Sequence, residues 1–327
     1  MEILTLDLAL EMQERLNVTP HESIEGVRAE TSEDGGITVT QIEVLDGQGE
    51  KRLGKPIGNY ITIEVPGLRR KDSLLQNEVS ATLTKELAKL LSKLKLTNTS
   101  KAFIVGLGNR NVTPDALGPL VVDQLVVTRH LFETMPNEVS EGFREVSALA
   151  PDVYGKTGVE TSDIIHSVTE HTKPDVIICI DALASRAIER VTTTIQITDT
   201  GIHPGSGIGN HRKGLDKAYL GVPVIAIGVP TVVYASTIIT SAIDDVIATM
   251  KQGAHRGSAT FYAWSDLPEP QRQQLVRKSL ESKGNDLIVT PKMIDEYIED
   301  IANIIATGLN AALHEAISHE QAGAYTH

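Results

Sequence analysis

Val176-Ile-Ile-Cys-Ile-Asp181 is an uninterrupted apolar run that ends in a carboxylate. A β-strand turns successive side chains to opposite faces of its sheet, so a strand that is apolar throughout must be covered on both faces. Two further runs of this kind, Ala102-Phe-Ile-Val105 and Val222-Pro-Val-Ile-Ala-Ile227, occur elsewhere in the chain. The three runs predict parallel strands at the centre of an α/β sheet.

The segments between these runs have helical length and helical spacing of apolar residues. They predict helices over about residues 116–133, 160–172 and 234–251. Strands that alternate with helices are typical of a doubly wound, mostly parallel α/β sheet. Ligands of such sheets bind at the carboxyl ends of the strands, so candidate site residues are sought there.

The N-terminal part of the chain has a different pattern. Residues 36–45 and 59–66 alternate apolar and polar side chains around turn-rich segments, which predicts antiparallel strands with one buried face. A helix is expected over about residues 74–94. Three regions result: a β-rich N-terminal subdomain (about 30–70), a core (about 100–260) and a C-terminal helix (about 290–320). The many apolar residues of that last helix are compatible with an interface between subunits.

Composition excludes several classes of protein. A net charge of −13, with no basic stripe, argues against direct binding of nucleic acid. Cys179 is the single cysteine, which excludes an internal disulfide, and its apolar surroundings predict a buried, unreactive thiol. We find neither a signal peptide nor an apolar stretch long enough for a membrane helix, so a cytoplasmic protein is expected.

The first strand end that carries a candidate residue is Ile104-Val-Gly-Leu-Gly-Asn-Arg-Asn-Val-Thr-Pro-Asp115. Gly106 and Gly108 suggest a dinucleotide fingerprint, but its third glycine would fall at Asn111, so the fingerprint fails. Asp115 is therefore either a catalytic carboxylate or, with Thr113, a cap for the helix that follows Pro114.

The second candidate is Asp181, at the end of the Val176 run. It too can be a helix cap, but two aspartates after two core strands favour chemistry. If they face each other across a cleft, they can share a proton, so that one activates water while the other protonates the leaving group or polarises the carbonyl. Such a pair can hydrolyse amides.

Metal and serine-triad chemistry find little support in the sequence. His203 and His211 with the two aspartates make a conceivable mixed site, but the H-E-x-x-H motif is absent. His166 and His171 are five positions apart and share a helix face poorly. There is no G-x-S-x-G elbow, and no Walker spacing among the glycines of residues 205–214. We expect neither a metal nor another cofactor.

Several long motifs resemble those of the germination proteases of endospore-forming bacteria, and the likeness covers nearly the whole chain. They are Val105-Gly-Leu-Gly-Asn, Thr113-Pro-Asp-Ala-Leu-Gly-Pro-Leu, Ile180-Asp-Ala-Leu-Ala-Ser-Arg, Thr198-Asp-Thr-Gly-Ile-His-Pro-Gly-Ser-Gly-Ile-Gly-Asn-His-Arg and Ile225-Ala-Ile-Gly-Val-Pro-Thr-Val-Val. By motif, the two aspartates considered catalytic in that family fall on Asp115 and Asp181.

The resemblance implies an endopeptidase that cuts small acid-soluble spore proteins during germination. It implies a self-processing zymogen, a homotetramer, a location in the forespore or spore core, and a core like that of hydrogenase maturation proteases. The family cuts after an acidic residue and before a large apolar residue and Ala. Asp7-Leu8-Ala9 fits that rule, so residues 1–7 would be a propeptide and 8–327 a single protease domain.

The glycine-rich stretch from Thr200 to Gly214 supplies the remaining candidates. Its basic side chains, which can attract the acidic residue before the cut, are His203, His211, Arg212 and Lys213. The alternative is that the stretch is merely a surface loop. Two rival functions stay open. One is a hydrogenase-maturation-type endopeptidase, which would need a histidine beside the two acids, and the other is a non-enzymatic peptide or nucleotide binding module.

Overall fold

A computed structural model of the chain describes Glu11 and residues 25–203, 213–252, 263–281 and 287–318. The strands of this part are β1 (Val27–Asp34), β2 (Ile37–Val44), β3 (Gly58–Glu64), β4 (Ala102–Gly106), β5 (Val146–Leu149), β6 (Val176–Ser185), β7 (Thr194–Thr198), β8 (Val224–Tyr234) and β9 (Ile288–Val289).

The α-helices of the same part include long packing helices and short connecting ones. They are α1 (Gly47–Leu53), α2 (Ser73–Lys93), α3 (Leu117–Asp123), α4 (Arg129–Thr134), α5 (Tyr154–Thr157), α6 (Thr161–Thr172), α7 (Lys217–Leu220), α8 (Ala235–Gln252), α9 (Glu269–Glu281) and α10 (Ile294–Leu313). None of the described helices is long and apolar enough to cross a membrane.

All of these strands belong to one mixed sheet, in the order β1-β2-β3-β7-β8-β6-β4-β5, with β9 beside β8. The pairs β8–β6, β6–β4 and β4–β5 are parallel, and the remaining pairs are antiparallel. The parallel core and the antiparallel N-terminal strands are as predicted, but only three of the eight strand pairs are parallel, so the sheet is mixed and not mostly parallel. The reason is β7, which pairs antiparallel with both β3 and β8 and so joins the N-terminal strands to the core.

The parallel strands are apolar throughout because helices cover both faces. One face packs against α2, α3 and α10, and the opposite face packs against α6 and α7 through Ile165 and Leu220. Successive side chains of β6 point to opposite faces of the sheet. Ile178 and Ile180 point to the first face, whereas Ile177 and Cys179 point to the second. The α/β class is confirmed.

The helix expected over residues 116–133 is broken in two. The break is stabilised from α10, because Asn310 accepts a hydrogen bond from Val126 N–H (2.9 Å) and donates one to the Gln124 carbonyl (3.1 Å). These bonds satisfy backbone groups that an unbroken helix would have paired internally. The buried side-chain amide of Asn310, which is distant in the sequence, thus takes the place of helical hydrogen bonds at this break.

The C-terminal helix is shorter than predicted and lies inside the subunit. It ends at Leu313, since His314 has extended backbone angles. Its apolar side chains, among them Ile298, Ile305 and Leu309, are buried against α2 and α3. These apolar residues belong to the core of the chain, so they give no support to an interface between subunits.

Candidate active site

The loop after β4 folds back tightly on the carboxyl ends of the parallel strands. Leu107 N–H donates to the Ile180 carbonyl of β6 (2.8 Å), so the loop starts alongside that strand. Gly108 follows with φ +109°, and a Cβ there would lie 2.0 Å from the Asp115 carbonyl oxygen. Only glycine fits at this close approach of the two backbone segments. The glycine spacing that resembles a nucleotide motif therefore serves to bring Asp115 back onto the strand end.

Asp115 is half-buried and ends the short 3-10 turn Thr113–Asp115. Its Oδ2 accepts a hydrogen bond from Asn109 N–H (2.8 Å), which holds the loop closed. The helix α3 that follows is capped at Ala116, without any side-chain hydrogen bond. Neither Asp115 nor Thr113 is thus the N-cap of this helix, although Asp115 does stabilise the glycine-rich turn.

Asp181 lies within β6 and not after it. The strand continues to Ser185, and Asp181 is paired in register with Gly228 of β8. Asp181 is 7% exposed, and its Oδ1 accepts a hydrogen bond from Ala182 N–H (2.9 Å). No helix begins at this point, so the alternative role as a helix cap is wrong. A charged group inside a central strand costs stability, which points to a function.

The structure brings the backbone segments of the two aspartates together at the carboxyl ends of the parallel strands. The 3-10 turn that carries Asp115 contacts both β6 and β8, the strands that hold Asp181 and its partner Gly228. The loop that Asp115 closes is itself hydrogen-bonded to Ile180, the residue before Asp181. Two acids from distant parts of the sequence are therefore carried by backbone segments that contact each other.

Cys179 is buried on the same strand, two residues before Asp181. Burial, and secondarily the negative charge of Asp181, raise the pKa of its thiol far above the ordinary range. The thiolate that nucleophilic chemistry needs is therefore strongly disfavoured. The prediction that Cys179 is an unreactive core residue is confirmed.

Two of the four basic candidates of the glycine-rich stretch are described. Lys213 donates to Asp163 of α6 (3.2 Å) and lies 5.6 Å from the centre of the Tyr219 ring. His203 is exposed and its ring lies over Gly214, where a Cβ would be 2.7 Å from Nε2. His211 and Arg212 lie outside the described residues, as do Asp7 and Leu8. Among the described residues, no three His, Cys, Asp or Glu side chains form a metal-binding group.

Glu11 is a charged residue near the carboxyl end of β6 that no motif or periodicity in the sequence marks. Glu11 is 5% exposed, and its Oε1 accepts from the Ser185 hydroxyl (2.8 Å) and from Arg186 N–H (3.0 Å). The Arg190 guanidinium is 3.7 Å away. Burial raises the pKa of Glu11 although these three partners oppose it. Only the folded chain brings residues so far apart in sequence into contact, so periodicity and motifs give no hint of it.

A buried acid on a central strand, beside a second acid on a glycine-rich loop, defines an α/β protein with a carboxylate site suited to acid–base hydrolysis. The model of the germination protease family matches residues 3–263 and 250–326. The chain belongs to the germination protease family and is a peptidase.

Similar proteins of this family span nearly the full chain. The germination protease of Geobacillus sp. (strain WCH70) is 48% identical over 96% of this chain and 92% of its own length. That of Bacillus subtilis (strain 168) is 45% identical over 99% of this chain and 97% of its own length. The resemblance stated from the motifs is confirmed.

Proposed function

We propose that this peptidase is an endopeptidase that starts the degradation of small acid-soluble spore proteins during germination, in the forespore-derived spore core. It cuts after Glu or Asp and before a large apolar residue and Ala. The chain is made as a zymogen whose residues 1–7 are removed by its own activity, leaving one domain over residues 8–327. Family membership along nearly the whole chain supports this function.

The chemistry rests on Asp115 and Asp181 as a pair that shares one proton. One carboxylate takes a proton from water, and the resulting hydroxide attacks the peptide carbonyl. The other aspartic acid gives its proton to the leaving nitrogen as the carbon–nitrogen bond breaks, so protons and charge balance. Either aspartate can serve as the base, and the other then serves as the acid.

The observation that supports this mechanism is the contact of the Asp115 turn with β6, the strand that contains Asp181. A purified small acid-soluble spore protein, incubated with the full chain, should give discrete fragments by mass spectrometry. Asp115→Asn and Asp181→Asn should each lower the rate by at least ~10², the low end for a positioned acid–base group. The matched control is Asp34→Asn on the exposed β1–β2 hairpin, which should cleave normally.

Either aspartate variant that stays folded and retains most of the activity would exclude that residue from the chemistry. Intact substrate with the unmodified chain would contradict proteolysis of spore proteins and would favour one of the rival functions. Circular dichroism of each variant shows whether a loss of rate comes from unfolding.

We also propose that β5, β4, β6 and β8, with helices on both faces, form a core like that of hydrogenase maturation proteases. The parallel order of these strands supports this assignment. No metal or other cofactor takes part in the proposed reaction, and nucleic acid is not a direct partner. An experimental structure compared with such a protease tests the core.

A homotetramer is proposed as the assembled form, and α8 offers a better contact surface than α10. Its outer face is apolar and leads to Trp264, with Ile239, Val246 and Met250 exposed. An apolar surface of this kind is typical of protein interfaces. Sedimentation of the full chain should give four times the mass of one subunit, and Val246→Glu should lower it.

A further inference from the structure

The first turn of α6 lies at the carboxyl ends of the parallel strands. The helix connects β5 to β6, which both run parallel to β4, so α6 runs against the strand direction and begins where the strands end. Ile165 of α6 packs on the same face of the sheet as Cys179. Asp181 points to that face too, because it follows Cys179 by two residues on β6. A ligand of this first turn therefore lies on the Asp181 side of the sheet.

The backbone of this turn has two donors that the helix does not use. The first helical hydrogen bonds run from Asp163 N–H (3.0 Å) and Ile164 N–H (3.2 Å) to the Glu160 carbonyl. The N–H groups of Thr161 and Ser162 come before these bonds, so the helix gives them no acceptor. No side chain caps this end of α6 in the part of the chain that the structure describes. Such N–H groups, together with the helix dipole, favour an anion.

Ser162 adds a third donor, and this one is buried. The residue is 4% exposed, and its hydroxyl oxygen has no hydrogen-bond partner among the described residues. Helical side chains tilt toward the start of their helix, so this hydroxyl faces the same end as the two N–H groups. Most buried hydroxyls in proteins are hydrogen-bonded, because an unpaired one costs free energy. An unpaired hydroxyl at an uncapped helix start points to a ligand that accepts hydrogen bonds.

Lys213 places a positive charge at this turn. Its ammonium donates to Asp163 (3.2 Å), which also accepts from the Tyr219 hydroxyl (3.1 Å). Asp163 chiefly, and Glu160 to a lesser degree, raise the pKa of Lys213, so the lysine is charged and faces both acids of the turn. It offsets part of their negative charge, which leaves the donors of the turn able to bind a carboxylate.

We propose that the start of α6 is the subsite that binds the acidic side chain of the residue before the cut. We define this α6 pocket by its three donors, the Thr161 N–H, the Ser162 N–H and the Ser162 hydroxyl. The carboxylate of the substrate accepts from these donors, while the backbone of the same residue extends toward Asp181. The subsite rests on the proposed function, because it presumes cleavage at Asp181.

Kinetics with a matched pair of peptides test the α6 pocket. Short peptides that contain Glu-Leu-Ala or Gln-Leu-Ala differ only in the charge of the residue before the cut. For the unmodified full chain we expect kcat/KM to be at least about tenfold higher with the Glu peptide, because hydrogen bonds to a charged group are the stronger ones. Equal kcat/KM for the two peptides would overturn the subsite.

Ser162→Ala should lower kcat/KM for the Glu peptide by about tenfold and for the Gln peptide by about threefold or less, so that the preference for Glu falls. The matched control is Ser167→Ala, an exposed serine on the same helix whose hydroxyl donates to the Asp163 carbonyl (2.9 Å). This control should leave both rates unchanged. A preference that persists in full in Ser162→Ala would also overturn the subsite.

Urea denaturation separates binding from a purely structural role. Ser162→Ala removes a hydroxyl that has no partner among the described residues, so the free energy of unfolding should stay the same or rise. A variant that is clearly less stable, or that fails to fold, would show that the fold itself uses this hydroxyl and would contradict the pocket.

The two proposals fail in different ways. Anisotropy of the same peptides, labelled and bound to the full chain with Asp181→Asn, measures the preference for Glu without cleavage. A preference that Ser162→Ala removes, with no cleavage by the unmodified chain, would contradict the proposed function and leave the α6 pocket standing. Cleavage that does not distinguish Glu from Gln would contradict the pocket and leave the peptidase standing.

Discussion

The two ends of the parallel strands both bury charged and polar groups, but they satisfy them differently. At the amino end, Arg144 donates to the carbonyls of Leu313 (3.1 Å), Thr97 (2.7 Å) and Ser100 (2.8 Å). His314 accepts from Arg144 N–H (3.2 Å) and bonds the Val126 carbonyl (3.0 Å). Every one of these partners belongs to the backbone, so the cluster ties loops and helix ends together.

At the carboxyl end, the buried charged groups are acids that lie on β6 or against it. Asp181 is placed inside a strand, and Glu11 keeps one buried oxygen without a partner in the described part of the chain. Complete networks stabilise a fold, whereas incompletely paired charges cost stability and persist where chemistry or binding needs them. The difference teaches that burial of a charged side chain does not by itself mark a site, because the buried Arg144 only ties backbone segments together.

The largest effect on stability is expected at the amino end. Arg144→Ala would leave three carbonyls without their donor, and we expect it to lower the free energy of unfolding by about 3 kcal/mol. Urea denaturation of the full chain measures this change. Arg28→Ala is the matched control, because Arg28 makes only a surface ion pair with Glu43 and should matter little.

If Arg144→Ala lowers the free energy of unfolding no more than Arg28→Ala does, the amino-end cluster is not structural. The contrast between the two ends of the strands would then be contradicted. The proteolytic rate of the folded Arg144→Ala protein should stay close to normal, because no donor of this cluster touches the aspartates.

The two ends should also respond to pH with opposite signs. Burial lowers the pKa of His314, so the unfolded chain binds a proton that the folded chain refuses, and stability falls as pH drops below about 6.5. Burial raises the pKa of Glu11, so its docked state holds the proton more tightly, and its contribution is lost as pH rises through the raised value.

Urea unfolding at several pH values between about 7 and 5 tests the first sign. His314→Gln should flatten the loss of stability on acidification, by at most about 1.4 kcal/mol per pH unit for one proton. A variant with the same slope as the unmodified chain would show that His314 does not titrate on unfolding.

Much of the fold follows from local patterns, and the exceptions share one cause. The helices α2, α6 and α8 begin and end within about two residues of their predicted limits, because buried periodicity decides them. The strand β7 was not predicted, and β6 and β8 run past their apolar stretches through Ser185 and Tyr234. These extensions are decided by pairing between β6 and β8, which no local pattern records.

The candidate site also contains some residues that local sequence patterns mark and others that they do not. Asp115 and Asp181 are candidates because each follows an apolar run of the sequence, and the structure places the segments that carry them in contact. The contacts of Glu11 could not be predicted, because they join residues more than 170 positions apart. The basic stretch was predicted from charge alone, and the ion pair of Lys213 with Asp163 shows what charge alone misses.

The smallest effect is expected from this basic stretch. Replacing Arg212 and Lys213 together by Ala should weaken cleavage after Glu or Asp a few-fold, as for exposed charges that steer a substrate. Steady-state kinetics with a peptide cut after Glu measures the change in kcat/KM. The matched control is Lys217→Ala on α7, which changes charge nearby. Kinetics that match this control would leave the stretch without the proposed role.

Self-processing tests the central claim, that the two acids at the carboxyl end are the catalyst, most directly. The freshly purified full chain is incubated and its intact mass followed, because losing seven residues is hard to see on a gel. We predict a product that begins at Leu8, absent in Asp181→Asn and blocked by Asp7→Lys. A product that begins elsewhere, or processing that persists in Asp181→Asn, would contradict the account.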